Sequence, residues 1–234
     1  MRFMMMVIKN FVLLFVLGMA YLSMGNRAMA EDTKARYPNM APIEQYLMDR
    51  NAEIALARSA APESISRDAE VLVLGRHGFE TAVKGKNGFV CIVERSWTSA
   101  PHLDFWNPKV RTPECFSAAG AHSYLRRSIK RTDLALAGRT EAQADEIIAA
   151  AVDKKELPAM EPGAMCYMMS KQGYGGDSVE HWHPHLMFYD LQIDPATLGA
   201  DLPNSPIQAY KATREHFTTI VFLVRRWSDG TEDH

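Results

Sequence analysis

Cysteine is scarce in this chain: three residues in 234, at Cys91, Cys115 and Cys166. An odd count allows at most one internal bridge and leaves one thiol over. Several catalytic signatures are missing as well. There is no G-x-S-x-G elbow, no H-E-x-x-H, no P-loop and no S-x-x-K, so the sequence marks of serine hydrolases, zincins, P-loop nucleotide hydrolases and penicillin-binding enzymes are absent. No internal repeat, low-complexity tract or long linker divides the chain. No apolar run reaches the ~20 residues that a membrane-spanning helix needs.

A basic excess is also lacking. Arg2 and Lys9 precede an apolar run over 11–22, and Ala28-Met29-Ala30 stands ahead of Glu31-Asp32. A basic start, a short apolar stretch and a small-x-small site make an export signal cleaved after Ala30. No cysteine follows the run, which excludes a lipid attachment site of the lipoprotein kind. Residues 1–30 therefore read as a signal peptide and 31–234 as a single periplasmic or secreted domain with no membrane span. Without the signal, 23 basic residues face 28 acidic ones. That balance argues against nucleic-acid or anionic-membrane partners. Half of the 14 methionines lie in the signal, so a Met-rich copper carrier loses most of its support.

The rest of the chain reads as α+β, a largely antiparallel sheet of about six strands with two or three helices. Asn39 and the following Ile43, Leu47 and Ile54 predict a capped first helix that Pro62 ends. Leu125 and Ile129 around RRSIKR predict a short solvated helix, and Thr140 with Gln143 predicts a capping box on another. Strands are expected at 71–74, 79–83, 89–95, 164–170, 185–189 and 218–227. Asn87-Gly88 suggests a hairpin between the second and third of these. Arg76-His77-Gly78 is most simply a turn. Residues 96–114 read as irregular, punctuated by Pro101, Pro108 and Pro113. Cys91 and Cys115 bracket this segment, and a disulfide closing it would contribute roughly 3–4 kcal/mol. Cys166 is expected as a buried inert thiol. Trp97, Phe105, Trp106 and Trp227 are candidates to wall a cleft over the sheet, with Trp182 nearby. Glu94 and Arg95 could line a pocket, but adjacent strand residues face opposite sides.

The stretch HWHPHLMFY, 181–189, carries the strongest hint of chemistry. On an extended chain His181, His183 and His185 share one face and Trp182 takes the other. Neighbours on that face lie ~6.6 Å apart and the three together span ~13 Å, so one ion can take two of them at most. A metal such as zinc would need a further ligand from another segment, with His77 the first candidate and Asp177, Glu180 and Cys166 behind it. Packing against Trp182 and Tyr189 is the competing reading, and metal-free acid/base use is a third. Pro184 lacks an N–H and places His181 and His183 near the loop end of a strand.

Gly175 followed by His181-Trp182-His183 resembles the opening of a cupin motif, but Met187 and Phe188 stand where that family has glutamate. The His-x-His strand of α-carbonic anhydrases is a weaker match. A longer resemblance runs from about Ala60 to Gly230: DAEVLVLGRHGFETAVKGKNGFVC, EPGAMCYMMSKQGY, HWHPHLMFY and RRWSDG are similar to a bacterial family of uncharacterised exported proteins. It implies export and a single domain, and it brings no activity. Three functions stay open: an exported ligand-binding or structural domain, a mononuclear metal-dependent hydrolase-like enzyme using His181, His183 and His185, and an envelope interaction protein.

Overall fold

Alternation along the strands decides the two layers of this protein. The computed structural model describes residues 36–98, 104–179, 181–200 and 202–234. The signal-like segment and the candidate ligand Glu180 lie outside the described residues, and Asn39–His234 forms one compact unit. Its strands are β1 (Glu70–Gly75), β2 (Gly78–Val83), β3 (Val90–Glu94), β4 (Thr112–Phe116), β5 (Met165–Met168), β6 (His185–Asp190), β7 (Ile207–Ala212) and β8 (Phe217–Leu223). They make one eight-stranded sheet in the order β2-β1-β3-β4-β5-β6-β8-β7. Each pairing is antiparallel except that of β1 with β3.

The sheet thus has eight strands where the sequence pattern suggests about six. One addition is β4, TPECF, which carries a proline and two polar residues yet is buried throughout. Proline is tolerated because β4 meets β5 only at Cys115 and Phe116, so Pro113 needs no donor on that side. The other is β7, IQAYKA, a largely uncovered strand on the edge beside β8, whose short sequence lacks a regular apolar alternation to announce it.

The expected hairpin at Asn87-Gly88 does not form. The tight turn is at Arg76-His77, where β1 pairs antiparallel with β2. The Asn87-Gly88 segment instead carries the chain past β1 so that β3 joins it in parallel, Glu70 opposite Val90. Asn87 Nδ2 donates to the Ile65 carbonyl at 2.7 Å, and Gly85 passes so close to Glu70 that a Cβ would sit 2.3 Å from its nitrogen. The turn chemistry was real, but tertiary contacts chose the partner.

Helix α1 (Arg50–Arg58) starts later than the apolar spacing suggests. Residues Ile43–Gln45 form only a single 3₁₀ turn, and the side chain of Asp49, not Asn39, caps α1 at the nitrogens of Asn51 and Ala52. Short α2 (Glu63–Ser66) follows. After β4 come α3 (Ala118–His122), α4 (Tyr124–Leu136) and α5 (Glu141–Asp153), the last with the expected Thr140–Gln143 capping box.

On one face of the sheet Val71, Val73, Cys91, Val93 and Cys115 pack under Leu56 and Ala57 of α1. On the other, Ile92, Phe116, Cys166, Met168, Tyr189 and Phe217 pack with Leu125 of α4. Each fully buried side chain of this size stabilises by roughly 1.5–3 kcal/mol. Cys91 and Cys115 are directly opposed in the β3–β4 register and their sulfurs are 1.98 Å apart. Cys166 is a buried free thiol. No helix among the described residues is long and apolar enough to cross a membrane.

A buried ion pair fastens α1 to the sheet, beside the exposed Arg50–Glu80 pair at 2.6 Å. Arg95 Nη2 and Glu53 Oε1 are 2.9 Å apart, their side chains 0% and 1% exposed. Glu53 also accepts from the Leu74 nitrogen at 3.1 Å, and Arg95 Nε donates to the Tyr46 carbonyl at 2.8 Å. Burial still pushes the Arg95 guanidinium down, with Glu53 offsetting part of that loss. Breaking such a pair from one side leaves a charge without its counter-ion. We expect Glu53→Gln to lower the unfolding free energy by about 3–5 kcal/mol, measured by urea denaturation, with Glu53→Gln/Arg95→Met recovering a large part of the loss.

Candidate functional site

The second face of the sheet is only partly covered. Between α4, α5 and the β6–β8 end lies a cleft of about 730 Å³, within the range of small-molecule sites. Trp97, Phe105, Tyr124, Trp182 and Phe217 supply aromatic walls. Tyr124 stacks on Tyr189 with ring centroids 3.8 Å apart, and Trp97 Nε1 donates to Thr132 at 3.1 Å. These contacts hold the walls in fixed positions.

The floor is acidic. Glu94 lies two residues from Ile92 and Glu114 two from Phe116, so period-two alternation points both carboxyls to this face. They are 1% and 3% exposed. Ser128 of α4 and Thr98 lie beside the Glu94 carboxyl, the two carboxyls are neighbours, and the Cys166 thiol lies beside Glu114. Even so, Glu94 Oε1 and Glu114 Oε2 have no hydrogen-bond partner. Such an unsatisfied buried acceptor costs about 1–3 kcal/mol.

Burial pushes the Glu94 carboxyl up to about 7. Burial raises Glu114 well above the usual carboxylate range, and the neighbouring Glu94 charge raises it further. Two carboxyls in contact and out of water cannot both ionise, so the pair keeps a proton at neutral pH. The arginines of the cleft are engaged with other acids. Arg131 pairs with Asp145 and lies 3.2 Å from Glu215, and Arg127 Nε lies 3.4 Å from Glu215.

At the mouth, the histidine stretch divides. His181 Nε2 is 3.2 Å from Asp233 Oδ1 and His183 Nδ1 is 2.6 Å from Asp233 Oδ2, with the two rings 4.1 Å apart. Desolvation would raise Asp233, but the bonds to His183 and His181 outweigh it and hold the carboxyl below its usual range. Asp233 reaches this place because the last residues fold back, its own nitrogen donating to the Arg225 carbonyl at 2.9 Å. These three side chains are the group among the described residues whose geometry suits a metal ion.

His185 is not in that group. Pro184 intervenes before β6 begins, and the His185 ring packs on Trp182 at 5.3 Å. Its Nδ1 donates to the His183 carbonyl at 2.7 Å, which leaves Nε2 as the acceptor nitrogen. Burial holds His185 below the usual histidine range. His77 is exposed in the β1–β2 turn and joins neither cluster. Trp97 and Trp182 line the cleft and Trp106 does not. Trp106 packs edge-on against Phe105 at 4.5 Å and takes a hydrogen bond from Tyr46 on its carbonyl. Trp227 is buried outside the cleft. Trp182 closes over Gly173 and Gly175, where added Cβ atoms would meet its ring at 2.7 and 3.3 Å.

Sequence reasoning missed Glu114 and Asp233. Glu114 had one available signal, an acid inside a short run ending in Cys115-Phe116; Asp233 had none, since only the chain's return brings it to the histidines. The raised carboxyls have a consequence for stability. A carboxyl held above its unfolded value binds its proton more tightly when folded, so its contribution is full below about pH 4.5 and is lost as pH rises through about 7. Wild-type stability should therefore fall between pH 5 and pH 8, and Glu114→Gln should reduce that fall, as read by urea denaturation at the two pH values. Comparison of the chain with protein-family models, curated proteins and solved structures finds no match.

Proposed function

We propose that this is an exported ligand-binding protein that takes a small organic molecule in the cleft between α4 and the β6–β8 end of the sheet. The observation that carries the reading is the combination in one place of a volume of about 730 Å³, aromatic walls and two buried acceptor oxygens without partners. A structural protein gains nothing from leaving such acceptors unpaired, whereas a ligand donor satisfies them on binding. The basic start, apolar run and Ala28-Met29-Ala30 site support export to the periplasm or medium. A ligand-observed NMR screen of a few hundred neutral, anionic and cationic fragments tests this. We expect competitive hits that lose about tenfold or more in affinity when the cleft is filled by Thr219→Trp. An absence of hits, or hits indifferent to that variant, removes the reading.

A second reading has its own observation, the convergence of His181, His183 and Asp233 at the cleft mouth. Two imidazoles and a carboxylate are a common set for a divalent ion such as zinc with positions left open, and the ion would acidify a water for hydrolysis. Tag-free protein stripped of metal should bind Zn²⁺ in calorimetry, with His183→Ala and Asp233→Asn each weakening it about tenfold or more. Equal affinity in the three proteins defeats this reading and leaves the first untouched.

A further inference from the structure

We infer that the ligand of this cleft carries a primary ammonium group, which docks on the Glu94 and Glu114 carboxyls while its apolar body lies against the aromatic walls. The inference deepens the ligand-binding reading and rests on it. It starts from what the floor needs. Glu94 Oε1 and Glu114 Oε2 are acceptors without a donor, on side chains 1% and 3% exposed that line the cleft. A ligand reaching this floor can supply donors to both oxygens, while Trp182 Nε1 and Arg127 Nε, buried donors without hydrogen-bond partners in the same cleft, are free to take an acceptor on another part of it. An anion or a purely accepting ligand would face these oxygens unfavourably.

Charge narrows the class. A carboxyl pair that shares one proton carries a single negative charge, and a single ammonium neutralises it with three N–H donors in a small volume. The chain's own cations do not fill this role. Arg131 is held by Asp145 and Glu215, and Arg127 by Glu215, by the Ser123 carbonyl at 3.2 Å and over the Phe217 ring at 5.7 Å. The aromatic walls add to the preference, because ring faces attract a cation that has left water. Trp97, Tyr124 and Trp182 line the cleft around the floor.

The recognition should depend on pH in one direction. The groups facing the pair are Tyr124 and Arg131 of α4, Cys166 of β5 and Tyr189 of β6, and Arg127, Glu141, Asp145, Lys211, Arg214 and Glu215 are the other charged side chains of the cleft. Burial raises Tyr124, Tyr189 and Cys166 well above their ordinary values, so they stay neutral across the working range. Glu215 is also raised by burial but stays beside its two arginines. His181, His183 and His185 line the mouth. Protonating the carboxyl pair removes the charge that holds the ammonium, so affinity falls with falling pH by up to about tenfold per unit.

Three probes of one shape isolate the chemistry: 2-phenylethylamine, 2-phenylethanol, and the N,N,N-trimethyl derivative of the amine. Calorimetry on the wild-type chain at pH 8 should show the amine binding about tenfold or more tightly than either relative. The alcohol lacks the charge and the trimethyl compound lacks the donors. The amine advantage should shrink at pH 5.5, and proton release on binding should appear as heats that differ between buffers of different ionisation enthalpy. The double variant Glu94→Gln/Glu114→Gln should abolish the preference for amine over alcohol, while His77→Ala, in the exposed β1–β2 turn outside the cleft, keeps it. Alcohol and amine binding equally in the wild type, with both displaced by Thr219→Trp, would overturn the ammonium assignment and leave the binding cleft standing. Absence of binding by all three probes also overturns it, and the fragment screen then decides separately whether the cleft binds anything. If a glutamine variant fails to fold, the three-probe comparison on wild type still decides the question.

Discussion

A buried guanidinium sets the geometry of this protein. Arg95 follows β3 directly and has no exposure, and its charge is tolerable only beside Glu53 of α1. That requirement places α1 on one side of the sheet and fixes the parity of β3. With Arg95 committed to α1, the residue before it must face the opposite layer. Glu94 is that residue, so the ion pair that holds one layer together also delivers a carboxyl under α4. The same register opposes Cys91 to Cys115 on the α1 side and sends Glu114 to the α4 side. One constraint thus organises a covalent staple, a helix contact and the floor of the cleft.

The cleft itself exists because the second layer is incomplete. Leu125 and Tyr124 of α4 cover the sheet around Phe116 and Tyr189, while further residues of β6, β8 and β7 line the cleft. A sheet face left open to solvent is normally polar on that side. Here it is aromatic and carboxylic, with the arginines of α4 neutralised by Glu215 and Asp145. Burial then acts on the two glutamates in the same direction, and their proximity prevents joint ionisation. A site with this composition favours a ligand that brings donors and positive charge.

Much of the fold was legible because its signals are local. The Thr140–Gln143 box, the β1–β2 turn at Arg76-His77 and the α4 helix all follow from short-range chemistry. The errors fall where a distant element chose the outcome. Asn87-Gly88 carries good turn residues, yet β1 took β3 in parallel and left β2 on the outer edge. Pro113 disguises β4, which pairs with β3 at five positions and with β5 at only two. Asp49 won the cap of α1 because Tyr46, fully buried, holds the preceding turn against the Trp106 carbonyl.

The histidine stretch shows the same division. By itself the sequence determined that His181 and His183 could converge and that Trp182 would stand apart from them, since side chains alternate along an extended chain. It also determined which residues carry charge, which thiols can pair, and that Glu94 and Arg95 oppose each other. Only the tertiary structure decided that Asp233, and not His77, meets the two imidazoles, and that His185 turns to Trp182 beyond Pro184. It alone brought Glu114 beside Glu94 from across an intervening loop. The reason is physical: alternation and capping depend on the next few residues, whereas a cluster of side chains depends on where the sheet order and the returning chain set them down.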